Sequence, residues 1–332
     1  MAYMRKEKFK VGIIGCGRWG KTHVKVLRNI LDKSQILISD IDERRLSEIS
    51  SFANKSYTDF KKMIKENIDL KAVFIVTPTI YHYEIAKYCL ESGLDVFIEK
   101  PITINSAQAY DLIKVSKRKR KLLVPGHLFL YKKAFQLIKK NFDRKYKYNY
   151  IIIKRINNGP LILDEGVIFD LAVHDIYLML NLLENVPQSV YASCIFKNSA
   201  LISSSIILKF DNALVNISVS WMGLTSTREV HIFNGKNEFI WIDTQPDLLI
   251  IRTSIAKKVR IFQGKKISLF NTFEKEKVYK NFKENALLEE DKYFIKSINT
   301  RKPFVEPSEA YITIKIMEKI FFSLTKGKEV KI

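Results

Sequence analysis

The sequence predicts an α/β chain in two parts. A doubly wound parallel sheet is expected over residues 1–125, and an α+β domain with a large, mostly antiparallel sheet over residues 126–332. Three observations predict this. Short apolar runs alternate with helical patterns through the first 125 residues. The first run ends in a glycine-rich turn, Gly15-Cys16-Gly17-Arg18-Trp19-Gly20, that opens a helix. After Gly126 strand-like runs follow one another with few helices between them.

In the first part, Val11–Ile14, Ile36–Ile38, Ala72–Val76, Asp95–Ile98 and Leu122–Val124 read as buried parallel strands. Helical patterns lie between them at Thr22–Leu31, Glu43–Ser51, Tyr83–Leu90 and Ala107–Val115. In the second part, strands are expected at Tyr148–Ile156, Ser189–Phe196, Ser203–Phe210, Leu214–Trp221, Glu229–Phe233 and Phe239–Ile242, with turns at Asp211-Asn212 and Asn234-Gly235. One helix spans about 168–183, and two close the chain near Leu287–Ile298 and Ser308–Leu324. A length of 332 residues lets each domain hold its own core.

Composition narrows the function classes. The net charge of +21 raises the local concentration of anionic ligands. The lysines are spread along the chain, however, and the densest run, Lys117 to Lys121, falls at a helix end where cations face the dipole favourably. An anionic small molecule is therefore expected, and nucleic acid is not. Three cysteines and five histidines show neither a disulfide framework nor metal-ligand spacing, so no metal is expected. No apolar run is long enough to span a bilayer, and no signal-peptide pattern opens the chain; no membrane association and a cytoplasmic location are the expectations.

The glycine turn follows a strand, opens a helix and is trailed by Asp40, 20 residues past Gly20. Gly15 allows the tight turn, Gly17 the close approach of backbone N–H groups to a pyrophosphate, and Gly20 close packing of helix on strand. The helix N-terminus favours the phosphates. Asp40 can accept from both hydroxyls of an adenosine ribose and would repel a 2′-phosphate, so NAD is expected rather than NADP. An alternative for Asp40 is to cap the next helix, a role Asp42 can also fill. Arg18 and Trp19, inside the turn, are expected at the cofactor. So are Thr77-Pro78, which end the next long strand, and His82 just beyond, expected to line the groove near the nicotinamide. Glu99-Lys100-Pro101 places a lysine where a strand ends at the ligand edge, able to stabilise an oxyanion as hydride leaves an alcohol. In the second part Asp170 and His174 stand four apart on an expected helix and share a face, an arrangement suited to a general base. A purely structural pair is the alternative.

Taken together, these signatures resemble the Gfo/Idh/MocA family of NAD(P)-dependent sugar oxidoreductases along the full length. They run from the glycine turn through Thr77-Pro78, Glu99-Lys100-Pro101 and Asp170-x-x-x-His174 to the closing helices around Glu290–Phe294. The resemblance implies a Rossmann domain followed by an open-faced sheet domain, with catalytic positions at Lys100, Asp170 and His174. Within the family, Gly126-His127-Leu128-Phe129-Leu130-Tyr131, Arg155–Pro160, Asp170–Asp175 and Ser220-Trp221 resemble members that oxidise C3 of UDP-N-acetylglucosamine or its uronic acid, giving a 3-keto sugar for transamination. Uronate-specific members usually carry asparagine where this chain has Gly166, which points to the neutral sugar. A second family acidic position after the histidine is Tyr177 here. Tyr131 and Arg155, with His174, are the expected substrate contacts. A dehydrogenase of a free polyol such as an inositol, or a non-catalytic NAD-binding sensor, are the alternatives. The strand at Leu214–Trp221 puts Leu214, Asn216, Ser218 and Ser220 on one face and Val215, Ile217, Val219 and Trp221 on the other. Because relatives pair through the open face, a homodimer or homotetramer is expected.

Overall fold

The structure, a computed structural model, describes residues 9–146, 149–159, 166–235, 237–244, 247–262 and 265–332, without the side chains of 254–274. Tyr148 and Pro160, which the sequence reading touched, lie outside the described residues. The helices are α1 Arg18–Leu27, α2 Glu43–Ser47, α3 Phe60–Glu66, α4 His82–Glu91, α5 Ser106–Lys119, α6 Lys133–Asn141, α7 Val173–Leu183, α8 Ala286–Thr300 and α9 Pro307–Lys326. Contacts divide the chain into two units, Met1–Tyr131 with Asn285–Ile314, and Lys132–Glu284 with Lys315–Ile332.

In the first unit six strands form one parallel sheet: β1 Lys10–Ile14, β2 Ile36–Ser39, β3 Lys55–Tyr57, β4 Leu70–Ile75, β5 Asp95–Ile98 and β6 Leu123–Pro125. Their order is β3-β2-β1-β4-β5-β6, with every neighbouring pair parallel. The order reverses between β1 and β4, and ligands of such sheets bind in the crevice beyond the strand ends at that reversal. The strands are apolar runs because both faces are covered. The short edge strand β3 and helix α3 escaped the sequence reading. The basic run near Lys119 does end α5, with Arg120 in the left-handed conformation at φ 53°.

The division corrects the expected boundary. Residues 285–314, expected in the second domain, pack with the first, because α8 lays Phe294 against Phe74 and Phe97 of β4 and β5, with ring centroids 5.0 and 5.6 Å away.

The second unit holds a nine-stranded sheet: β7 Asn149–Ile156, β8 Ser189–Lys197, β9 Ala200–Lys209, β10 Ala213–Ser220, β11 Thr227–Phe233, β12 Asn237–Ile242, β13 Leu248–Phe262, β14 Lys265–Lys280 and β15 Val330–Lys331. The order is β14-β13-β12-β11-β7-β10-β9-β8-β15; β7 and β10 run parallel and the other pairs antiparallel. The long hairpin β13–β14 was not anticipated. One sheet face is covered: α6 sets Phe135 and Phe142 beside Trp241 and Phe239. The register aligns a mainly apolar row across the other face, from Ile207 through Asn216, Ile152, His231, Ile240 and Ile250 to Val278. Val215, Ile217 and Val219 are buried while Leu214 is exposed, as the alternation in that strand predicts. Among the described residues no helix is long and apolar enough to cross a membrane.

Candidate active site

The glycine turn sits at the end of β1, at the sheet reversal. Gly15 has φ +97°, and a side chain there would meet the Val76 carbonyl oxygen at 2.6 Å. A Cβ on Gly20 would come within 1.9 Å of the Gly15 carbonyl oxygen, so helix and strand could not close with anything larger. At Gly17 the same atom meets open space. Gly17 caps α1 without a side-chain hydrogen bond, and the first turn holds no acidic residue. A helix start of that kind suits an anion. Beside it Thr77 Oγ1 is buried with no hydrogen-bond partner among the described residues. The open turn, the uncapped helix and this orphaned hydroxyl together fit a dinucleotide.

Asp40 follows β2 and is 7% exposed. Its carboxylate accepts from the Cys16 N–H at 2.6 Å and the Asp42 N–H at 2.9 Å, and Arg45 Nη1 stands 3.7 Å away. A carboxylate offers about four lone-pair sites, so acceptor capacity remains for ribose hydroxyls. Asp42, not Asp40, caps α2 by accepting from the Arg44 N–H at 2.9 Å. Arg18 is exposed on the turn. Burial pushes the Cys16 thiol up to about 12, which makes it inert at neutral pH.

Glu99 and Lys100 follow β5 in the same unit. Glu99 Oε1 accepts from Trp19 Nε1 at 2.6 Å and from His23 Nε2 at 3.0 Å, while Oε2 accepts from the Lys100 N–H at 3.1 Å. Burial works against the ionised carboxylate, but the His23 bond and charge, with Trp19 and Lys100, hold Glu99 at about 2. The glycine turn is thereby tied through Trp19 to the strand end that presents Lys100. Trp19 is 38% exposed, so its ring also faces outward.

His82 departs from expectation. It is 1% exposed, and its ring nitrogens lie 2.8 Å from the Thr77 carbonyl oxygen and 2.9 Å from that of Pro101. It staples the loop after β4 to the loop after Lys100 rather than lining a groove. Pro78, between them, is exposed. Tyr131 is also corrected: it is buried against Tyr293 and Phe304, with centroids 5.6 and 4.9 Å away, which makes it core rather than a substrate contact. Sequence reasoning missed His23, Glu290 and Asp291. The signal was present, since His23 falls on the buried stripe Gly20, His23, Val24, Leu27, and the two acids on Leu287, Glu290, Asp291, Phe294 and Ile298. A polar side chain on an apolar stripe must find a partner inside.

In the second unit Asp170 lies in a π-helical turn, Ile168–Ala172, which leads into α7 carrying His174. Single π turns inside helices occur frequently at functional sites. Asp170 accepts from Trp221 Nε1 at 3.0 Å, and both it and His174 are half-buried. The expected helix is thus present, with a widened first turn. Gly166, ahead of it, has φ +64°, a conformation open to glycine and asparagine. Glycine in place of asparagine keeps that backbone, so the exchange carries little weight on the choice of sugar. Arg155, expected at the substrate, is 5% exposed and holds Asp175 through Nε at 3.1 Å and Nη2 at 2.6 Å. Burial pushes the Asp175 carboxyl up against the pull of that guanidinium. Arg155 anchors α7 to β7, one residue from His174. Tyr177, at the position where the family has an acid, is buried.

A parallel sheet with an anion-ready turn at its reversal and a lysine at a neighbouring strand end defines a dinucleotide-dependent oxidoreductase domain. Residues 9–127 match the Gfo/Idh/MocA family model, described as an oxidoreductase family with an NAD-binding Rossmann fold. Over those residues the chain is similar to the Gfo/Idh/MocA oxidoreductases. The myo-inositol 2-dehydrogenase of Thermotoga maritima is 25% identical over 313 residues, 89% of each chain. The UDP-N-acetylglucosamine 3-dehydrogenase of Acidithiobacillus ferrooxidans is 28% identical over 186 residues, 55% of this chain and 57% of that one. A solved structure of the latter enzyme superposes with a TM-score of 0.80 at 21% identity, covering 96% of this chain and 97% of that one. A structure of GenD2 from gentamicin A biosynthesis, in complex with NAD, reaches 0.81 at 18% identity over 98% and 97%.

Proposed function

We propose that this NAD-dependent, sugar-type dehydrogenase oxidises a UDP-amino sugar, UDP-N-acetylglucosamine or a close relative, at C3. The single observation that carries the reading is Glu99: its carboxylate joins Trp19 of the phosphate turn to the Lys100 backbone. A lysine so placed serves the alcohol carbon that a bound nicotinamide faces. When bound, NAD supplies the hydride acceptor. In this reading Lys100 donates to the reacting hydroxyl oxygen and stabilises its developing charge, while His174 takes the hydroxyl proton. Asp170, fixed by Trp221 Nε1, orients His174. The partial similarity to a UDP-N-acetylglucosamine 3-dehydrogenase and the +21 charge both support a diphosphate-bearing substrate. One observation favours a second reading: the match to a myo-inositol 2-dehydrogenase spans 89% of the chain.

A screen of UDP-N-acetylglucosamine, its uronic acid and myo-inositol, followed by NADH absorbance, decides between them. The uridine nucleotides are expected to turn over and myo-inositol is not; the reverse result transfers the assignment to polyols. His174→Ala is expected to lower kcat by about 10²–10⁴-fold with NAD affinity unchanged, the usual contribution of a positioned base. Lys100→Met is expected to be at least as damaging. Near wild-type turnover in either variant removes that residue from the chemistry. The proposed assembly is a homo-oligomer paired through the open sheet face, supported by the mainly apolar row from Ile207 to Val278.

A further inference from the structure

His23 is fully buried in α1, among Phe74 and Phe97 at 5.7 and 5.5 Å, where an isolated charge would be expelled. Yet both of its ring nitrogens face carboxylates. Nδ1 lies 2.9 Å from Asp291 Oδ1 on α8, and Nε2 lies 3.0 Å from Glu99 Oε1 at the end of β5. An ionised carboxylate only accepts, so an imidazole between two of them donates from both nitrogens. Trp19, one helical turn earlier, donates to the same Glu99 oxygen at 2.6 Å. Helix α1 thus grips one Glu99 oxygen with two donors, and the other oxygen holds the Lys100 N–H.

We propose that His23 is a positioning residue for Lys100: braced by Asp291, it fixes the Glu99 carboxylate on which the Lys100 backbone is hung. The inference rests on the reading that Lys100 serves the reacting oxygen, and its test separates the two. Burial opposes the His23 charge, but Asp291 and Glu99 raise it well above the ordinary histidine value. The other groups around the pair do not replace that charge. Glu290, beside Asp291, is pushed well up by burial and accepts from the His127 N–H at 2.6 Å. His127 is pushed down to about 3 by burial and is neutral. Asp291 is itself raised by burial, and its Oδ2 has no partner among the described residues. His23 and Lys100 are therefore the cations facing Glu99.

Asp291→Asn tests this. The amide oxygen can still accept from Nδ1, but the charge that holds the imidazolium is gone, so the His23 value falls. In the NAD-bound protein, ¹⁵N resonances of the His23 ring are expected to show both nitrogens protonated across the neutral range. In the variant one proton is expected to leave as pH rises through that range. Competitive acetylation read by peptide mass spectrometry then reports on Lys100. Its rate, relative to the remote Lys62, is expected to change by roughly threefold or more as His23 loses its proton. With a substrate that turns over, kcat is expected to fall over the same pH interval while KM for NAD holds. A merely structural His23 would lower stability and leave the Lys100 rate and the kcat profile unchanged, which overturns the proposal. So does a singly protonated His23 in the wild type. A Lys100 rate that follows His23 while no UDP-sugar turns over supports the proposal and sinks the substrate reading instead. If the variant does not fold, the wild type's own alkaline titration of His23 must carry the same change in Lys100 labelling.

Discussion

At the residue scale, the Asp40 carboxylate is placed for two jobs. Its bonds to the Cys16 and Asp42 N–H groups hold the glycine turn against the end of β2, and its remaining acceptor capacity suits ribose hydroxyls. A hydrogen bond to a charged group is worth about 1.5–3 kcal/mol. Asp40→Ala is therefore expected to weaken NADH binding by roughly 10- to 100-fold in a fluorescence titration, and to narrow the preference over NADPH. Equal wild-type affinity for the two cofactors removes Asp40 as the selector. The glycine turn and the strand-end position of Lys100 lie where the local sequence pattern puts them. His82, Tyr131 and Arg155 were misread because their partners, Pro101, Phe304 and Asp175 among them, lie 19 to 173 residues away.

At the scale of elements, one buried ion pair ties α7 to β7. Arg155 reaches from β7 to Asp175, and both side chains are out of water. Removing one member of a buried pair leaves an uncompensated charge, typically at a cost of about 3–5 kcal/mol. Arg155→Met is expected to lose about that much stability in urea unfolding, and the double variant Arg155→Met/Asp175→Leu to recover most of it. Unchanged stability with a raised KM would return Arg155 to the role of substrate contact that the sequence suggested. The π turn ahead of α7 was not legible in advance. The spacing of Asp170 and His174 reads as an ordinary helical pair, and nothing local in Ile168–Ala172 announces a wider turn.

On the scale of the whole molecule, the proposed assembly rests on the open sheet face. Its row from Ile207 to Val278 crosses seven strands, while the opposite face meets Phe135 and Phe142 at α6 of its own unit. Burying such a row against a second copy gains about 25 cal/mol per Å² of apolar surface. Light scattering at micromolar concentration is expected to give at least twice the 38.7 kDa chain mass. Ile240→Lys, with a charge in the middle of the row, is expected to return folded single chains. A wild-type mass of 38.7 kDa refutes the pairing.

The sequence by itself determined the two-part architecture, the parallel strands, the phosphate turn and the placement of Lys100 at a strand end. Each of these follows from short-range pattern: period-two and period-3.6 burial, glycine where no Cβ fits, and a lysine where an apolar run stops. Tertiary structure decided the rest. The return of α8 to the first unit, the His23 link between Asp291 and Glu99, and the burial of Arg155 and Tyr131 all join residues far apart in the chain. A polar residue on an apolar stripe announces that a buried partner must exist. Which partner it meets depends on how helices and sheet pack, and no local pattern encodes that.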